Sequence, residues 1–557
     1  MTTRCARPLL TIAVALTLVT PGALAAAPAA DATAAQRRAD AADGEVFGHF
    51  YERGPDGRII EQILPLTDGP AAPAFTVSAV SEQQIASRLR RADSGRAADL
   101  ADVAKAPPAP RLVPEDLTRR ARVIHMGVEN YTDAAMAETV ARIGGLESFS
   151  VVARLAPGHP WIGEVARVPN LTVAELPGVQ YVWTEDVTEI GVDGAFRMTA
   201  RMGDRGLLLR RSLFVDRVRR YYPDVTPAEI EAIQNLPPGP ASRPGILPDE
   251  VMRRYPDTMY MNQGLVEADG AQAVAAAISE ARGAPMREDM LYLEGGNVLL
   301  GTLPRGEPYA LVGRDSVAIA RAVLAHHSGN PVSDAELRAA MAKDLGVAPA
   351  HLFLVEQPGV FHLDMAMTLL RPGTVLLNDA TEALALQTQW LREDHEAWRP
   401  RPDTATPQDH RQELAAWQQA GRDLEDTIQK LRKYAERFAR FEARTLADVE
   451  AAGLTVVRVP ARFLHPTRPW DRDIMNFVNG EAGTNPQGRT YFITQGGDPR
   501  AERHVATTLL TRAIGLDRVY FAPRLASRDS LWEKGGVGCR IKVEGSVVEN
   551  PTLPPPR

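Results

Sequence analysis

The chain has 557 residues, 45% hydrophobic and 24% charged, with 63 Lys and Arg against 70 Asp and Glu. This composition excludes a wholly disordered or collagen-like chain and permits a large buried core. The formal charge of −7 has the wrong sign for a generic nucleic-acid binder. The only long apolar run is at the N-terminus, which excludes a polytopic membrane protein.

Residues 1–25 read as a secretory signal peptide. Arg4 and Arg7 precede an apolar stretch from Leu9 to Val19, too short to span a bilayer, and Ala23-Leu24-Ala25 is a small-x-small cleavage signal. The expected location is secreted or periplasmic, with no membrane span in the mature form. Residues 26–110 read as a partly disordered N-terminal extension. It holds at most a strand pair (Val46 to Tyr51, Ile59 to Leu64) and a helix (Ser81 to Ala104), and ends in the linker Pro107 to Pro110.

From 111 to 550 strands and helices alternate, which predicts an α/β catalytic domain. Predicted strands run over Val123 to Val128, Phe149 to Leu155, Tyr181 to Ile190, Tyr309 to Gly313, Val360 to Leu370, Thr374 to Asn378, Thr455 to Val459, Ile474 to Val478, Tyr491 to Thr494 and Val519 to Ala522. A further strand region, Met290 to Gly301, is split by Gly295-Gly296, and a last strand carries Cys539. Helices follow Thr132 as N-cap and cover Ala268 to Ala281, Ser316 to Ala325 and Arg503 to Gly515. Residues 380–450 form a helical insertion. Leu424, Ile428, Leu431, Tyr434, Phe438 and Phe441 share one face there, as core packing or as an antiparallel arm. Thr445 is expected to cap a short following helix. A second insertion covers 205–265, where the basic run Arg210 to Arg220 reads as a solvated helix face, and 551–557 is a Pro-rich tail.

Of the two cysteines, Cys5 lies in the signal, so the mature protein keeps Cys539 alone and forms no internal disulfide. A single thiol in an exported protein is a candidate nucleophile. Its setting, Lys534-Gly535-Gly536-Val537-Gly538-Cys539-Arg540, is poorly suited to core packing, and flanking cations lower a thiol pKa. His362 and Asp364, two apart on an expected strand, would project from the same face. No HExxH or CxxC metal motif, Gly-x-Ser-x-Gly or P-loop occurs. His326-His327 and Glu393-Asp394-His395 read as solvated helix faces.

Four stretches occur in a telling order: Trp183-Thr184-Glu185-Asp186-Val187-Thr188-Glu189-Ile190-Gly191, then Glu294-Gly295-Gly296-Asn297-Val298, then His362-Leu363-Asp364 with Thr368, then the Gly-rich run ending at Cys539. Over roughly residues 120–545 this order resembles the guanidine-modifying enzymes of the pentein superfamily. Glu294 to Val298 and His362 to Asp364 resemble motifs of arginine deiminases; the Trp183 and Cys539 stretches are closer to peptidylarginine deiminases.

The resemblance implies a pentein α/β-propeller of five ββαβ-like modules. It implies that Asp186 and Asp364 grip a guanidinium, that Cys539 attacks its central carbon, that His362 acts as acid and then base, and that Glu294 orients His362. Trp183 and Asn297 would line the substrate, and Arg314 lies about where arginine deiminases hold the substrate carboxylate. Glu189 matches a calcium ligand of animal peptidylarginine deiminases; no other cofactor is implied. The implied activity is conversion of arginine residues in peptides or proteins, or of a small guanidine such as arginine, to a citrulline-type ureido product and ammonia. An amidinotransferase, a dimethylarginine hydrolase or a catalytically silent binding protein of the same fold are the alternatives, and none binds nucleic acid.

Overall fold

In a computed structural model the described residues are 48–65, 77–93, 109–177, 182–198, 218–219, 224–234, 264–291, 293–328, 330–357, 362–400, 407–461, 476–511, 514–533 and 535–548. They belong to the compact unit Gly44–Arg557. The signal segment, the 551–557 tail, all of the basic run except Arg219, and most of the 205–265 insertion lie outside them.

One strand pattern recurs in five small sheets among the described residues. An opening strand pairs antiparallel with a second, a helical connection follows, and a third strand returns parallel to the second. Thr188–Ile190, Phe196–Met198 and Met286–Glu288 form one such sheet. Val298–Thr302, Pro308–Gly313 and Leu352–Val355 form the next, followed by Met367–Leu369, Thr374–Asn378 and Thr455–Val459. Glu481–Thr484, Thr490–Thr494 and Arg518–Phe521 form another. The fifth joins the ends of the chain: Ile541–Val547 opens it, antiparallel to Arg119–Gly127, with Ser150–Leu155 and Leu171–Glu175 parallel beyond. Parallel neighbours need a crossover, and helices such as Tyr131–Glu147 and Pro499–Thr511 supply it.

The middle strands read as continuous apolar runs because both faces are covered. Ala310, Leu311 and Val312 are fully buried, as are Val375, Leu376 and Leu377. Each buried Val or Leu among them contributes roughly 1.5–3 kcal/mol. Among the described residues no helix is long and apolar enough to cross a membrane.

Several sequence expectations change. His49–Arg53 pairs with Ile59–Ile63 as foreseen, but it also pairs with Arg518–Phe521, so part of the region read as an extension widens a sheet of the main unit. Asn130, not Thr132, caps the helix Tyr131–Glu147: its side chain accepts from Asp133 N at 2.9 Å, and Asp133 answers in a capping box. The Tyr181 to Ile190 strand shrinks to Thr188–Ile190, preceded by a helical turn, Thr184–Val187. The 474–478 strand is displaced to Glu481–Thr484. Thr445 caps nothing. It lies inside one helix, Pro407–Ala451, where its hydroxyl bonds Phe441 O at 3.0 Å and Glu356 O at 2.7 Å.

That helix folds back against Ala380–Ala397. Ala380 N meets Glu442, Arg392 meets Glu425, and His395 stacks on Trp417, so the two run antiparallel. The apolar stripe faces inward: Ile428, Phe438 and Phe441 are buried, and Leu424, Leu431 and Tyr434 are half-buried. It is core packing, as the periodicity implies.

The sheet that joins the chain ends carries a measurable pH signature. Burial works to raise the Glu544 carboxyl, but the His125 hydrogen bond and the Arg282 guanidinium hold it down at about 2, against an ordinary 4.5. A depressed folded pKa contributes stability above the unfolded value that is lost as pH falls through the folded one. Glu544→Gln should cost about 2 kcal/mol near neutrality, and the gap to wild type should close between pH 4.5 and about 2. Urea unfolding across that range checks it; a pH-independent gap contradicts the assignment.

Candidate active site

The segment just before each opening strand carries a site residue. Asp186 precedes Thr188–Ile190, Glu294 precedes Val298–Thr302, His362 and Asp364 precede Met367–Leu369, Asn479 precedes Glu481–Thr484, and Cys539 precedes Ile541–Val547. His362 and Asp364 are therefore on a turn and not, as the spacing suggested, on one face of a strand. Cys539 likewise sits in a helical turn, Val537–Arg540, and not on the last strand. Turns of this kind let neighbouring side chains converge in ways a pleated strand does not.

His362 lies between two carboxylates, Nδ1 at 3.2 Å from Asp186 Oδ1 and Nε2 at 3.3 Å from Glu294 Oε1. Cys539 Sγ is 2.9 Å from Asp364 Oδ2. Asn479 ties these together: its amide donates to Asp364 Oδ2 at 2.8 Å and lies 3.1 Å from Cys539 Sγ, while its carbonyl accepts from Cys539 N at 3.3 Å. Asp364 N in turn donates to Gly296 O at 3.0 Å. All six residues are buried. Two glycines make the approach possible. A Cβ on Gly296 would lie 2.6 Å from His362 Nδ1, and one on Gly536 would collide with Asn479 and Gln495.

The electrostatics set protonation. Burial acts to lower the His362 pKa, but Asp186, Glu294 and Asp364 overcome it and raise it to about 10, so the ring is an imidazolium near neutrality. Burial pushes the Cys539 thiol well above its usual range, and Asp364 and Asp186 push the same way. Burial also raises Asp364, against the pull of His362, Cys539 and Asn479. Asp364 Oδ1 and Glu294 Oε2 are buried with no hydrogen-bond partner among the described residues. The centre thus holds more carboxylate than cation and keeps acceptor oxygens unused.

Of the two flanking cations expected to activate the thiol, only Arg540 is described. Lys534 lies outside the described residues. Arg540 is buried and turned onto Asp133, Glu533 and Ser530 Oγ, and its guanidinium stacks 4.4 Å over the Trp183 ring. Trp183 packs in the same apolar cluster as Cys539, with Met365, Ala435 and Phe438. Asn297 donates to Ser316 Oγ at 2.7 Å under the start of the next helix. Arg314, half-exposed, is held by Asp448 at 3.0 and 3.1 Å. Asn297 joins the site through its backbone, its N donating to Glu294 O at 2.9 Å. Glu189 Oε2 lies 2.7 Å from Lys542 Nζ. Sequence reasoning missed Asn479 and Lys542. The signal for Asn479 was positional: it occupies, ahead of its sheet, the place that the recognised residues occupy ahead of theirs.

No protein family's sequence profile matches the chain, and no curated protein does. Among solved structures it is similar to a DDAH (dimethylarginine dimethylaminohydrolase) from Pseudomonas aeruginosa, a cysteine-to-serine mutant complexed with citrulline. The TM-score is 0.27 at 11% identity, over 76% of this chain and 100% of that one. A likeness this slight assigns no residue a role.

If Asp364 holds the thiol protonated, Asp364→Asn should lower the pH at which Cys539 ionises. Ultraviolet thiolate absorbance, taken as the difference from Cys539→Ser, reads this directly. An unchanged or raised midpoint would sink the assignment.

Proposed function

We propose that the protein is a secreted or periplasmic hydrolase of guanidinium groups, acting through Cys539 on arginine side chains of peptides or proteins. One observation carries the reading: a buried thiol and a buried imidazolium share a centre with Asp186, Asp364 and Glu294, where negative charge is in excess. A guanidinium is planar, cationic and only a donor, so it supplies the charge and the hydrogen bonds that such a centre lacks.

The chemistry follows from the protonation states. A guanidinium between Asp186 and Asp364 neutralises the two charges that raise the Cys539 pKa, and the thiol releases its proton to solvent. The thiolate attacks the central carbon and forms a C–S bond. His362, an imidazolium at rest, protonates a departing amino group, and ammonia leaves a thiouronium on Cys539. The now neutral His362 is a strong base because the same carboxylates favour its charged form. It takes a proton from water, the resulting hydroxide attacks the carbon, and the C–S bond breaks as the new hydroxyl gives its proton to the released ammonia or to solvent, which returns the thiolate and releases the neutral ureido product. The side chains and water suffice for each step.

Arg314 favours peptidyl arginine. With its charge already met by Asp448, it is poorly placed to clamp a free amino acid's carboxylate. The recurring three-strand pattern supports five ββαβ modules arranged around an axis as a pentein propeller, with the turns before each opening strand at its centre.

The purified protein should form a ureido product from a peptide with internal arginine. Free arginine, agmatine and dimethylarginine are the comparisons. Cys539→Ser should abolish turnover, and His362→Gln should reduce it by about 10²–10⁴-fold. No turnover of any guanidine, with Cys539 unlabelled by alkylating agents, would overturn the proposal and favour a silent binding protein.

A further inference from the structure

A second buried cluster adjoins the site. Lys542 follows Cys539 by three residues on the strand Ile541–Val547. Its ammonium lies 2.8 Å from Glu185 Oε1, 2.7 Å from Glu189 Oε2 and 3.7 Å from Glu115 Oε1, and all four residues are buried. We propose that Lys542 is a positioning residue that stands where a divalent cation would otherwise sit, fixing the turn that bears Asp186 against the strand that follows Cys539.

The three carboxylates come from different parts of the chain. Glu185 and Glu189 flank Asp186. Glu115 belongs to the segment leading into the strand Arg119–Gly127: Glu115 N donates to Leu300 O at 2.7 Å, and Leu300 N donates back to its carboxylate at 3.3 Å. Glu115 is thereby bound to the strand that follows Glu294. The turns also meet directly, for Gly295 packs against the Glu185 carbonyl so closely that a Cβ there would overlap it. One ammonium therefore holds together the elements that carry Cys539, Asp186 and Glu294.

Three convergent carboxylates are what a hard divalent ion seeks, and their ligand atoms lie within 4.8 Å of one another. With Lys542 in place the set does not fit calcium. An ion among these oxygens would abut a positive ammonium, and calcium wants about six to eight oxygens. Burial raises Glu115 to about 8, against the pull of Lys542, and raises Glu185 well above its ordinary value. Protons on these acids bring the cluster closer to neutrality around one ammonium, which a divalent ion would have to displace. The calcium ligand expected at Glu189 is therefore a lysine partner, and the site is constitutively assembled.

The activity arm of the test rests on the guanidine-hydrolase reading; the binding arm does not. Melting of the full chain is measured in calcium and in chelator for wild type, Lys542→Ala and the double variant Lys542→Ala with Glu189→Gln. Wild type should show no calcium shift, Lys542→Ala should melt lower and be raised by calcium, and the double variant should lose the response. On an arginyl peptide, Lys542→Ala should lose about 100-fold in rate, the scale expected for a misplaced group, and calcium should restore it. A variant that folds only with calcium supports the proposal equally. If it folds under neither condition, Lys542→Gln, which keeps most of the stem, carries the same measurements. A calcium shift in wild type, or none in the lysine variant, overturns the proposal. An inactive wild type with the expected melting pattern would instead fail the hydrolase reading and leave the cation-substitute assignment standing.

Discussion

Everything at the centre of this protein depends on how buried charge is balanced. Moving a carboxylate out of water is costly unless a cation or donors meet it. Asp186 and Glu294 are met by one imidazole, and Asp364 by an amide, a thiol and a backbone N–H. One imidazolium against three acids leaves negative charge in surplus. That surplus is reduced because burial pushes Asp364 toward its neutral form. The same imbalance keeps the Cys539 thiol protonated. In the proposed mechanism, the acids that would bind the guanidinium are the ones that keep the thiol protonated.

The neighbouring cluster solves the same problem differently. Around Lys542 the surplus carboxylates are neutralised from within the chain, by a residue that cannot dissociate. The two clusters share the Thr184–Val187 turn, with Asp186 facing one and Glu185 the other. A four-residue turn has little intrinsic stability of its own. Its placement comes from these flanking charges, from Arg154 donating to Thr184 Oγ1 at 2.7 Å, and from the close contact with Gly295.

What the sequence disclosed follows from what each kind of signal encodes. Periodicity is local, so the middle strands Pro308–Gly313, Thr374–Asn378 and Thr490–Thr494 and the apolar stripe of the long helix were legible. Site residues were legible where several lie close in sequence, as at His362 and Asp364. Their geometry was not, because alternation of polar and apolar residues mimics a strand even where the chain turns. Asn479 was hidden because two asparagines, Asn476 and Asn479, in a mostly apolar run carry no motif. Lys542 was hidden because its partners are at Glu115, Glu185 and Glu189, hundreds of residues away. The flanking Arg540 misled for the same reason: sequence shows a cation beside the thiol, while its distant partner Asp133 turns it away.

The helical insertion is more than an appendage to this centre. Its long helix is pinned beside the site, since Thr445 bonds Glu356 O and Asp448 accepts from Glu356 N at 2.8 Å, just ahead of the turn that carries His362. Further along, Tyr434, Ala435 and Phe438 pack in one cluster with Cys539, Trp183 and Met365. A side chain at Phe438 thus helps to keep water from the thiol, and exclusion of water is what makes the carboxylates effective in raising its pKa. The fold repeats one small three-strand unit, but the surroundings of Cys539 are completed by the enlarged helical connection of a single repeat.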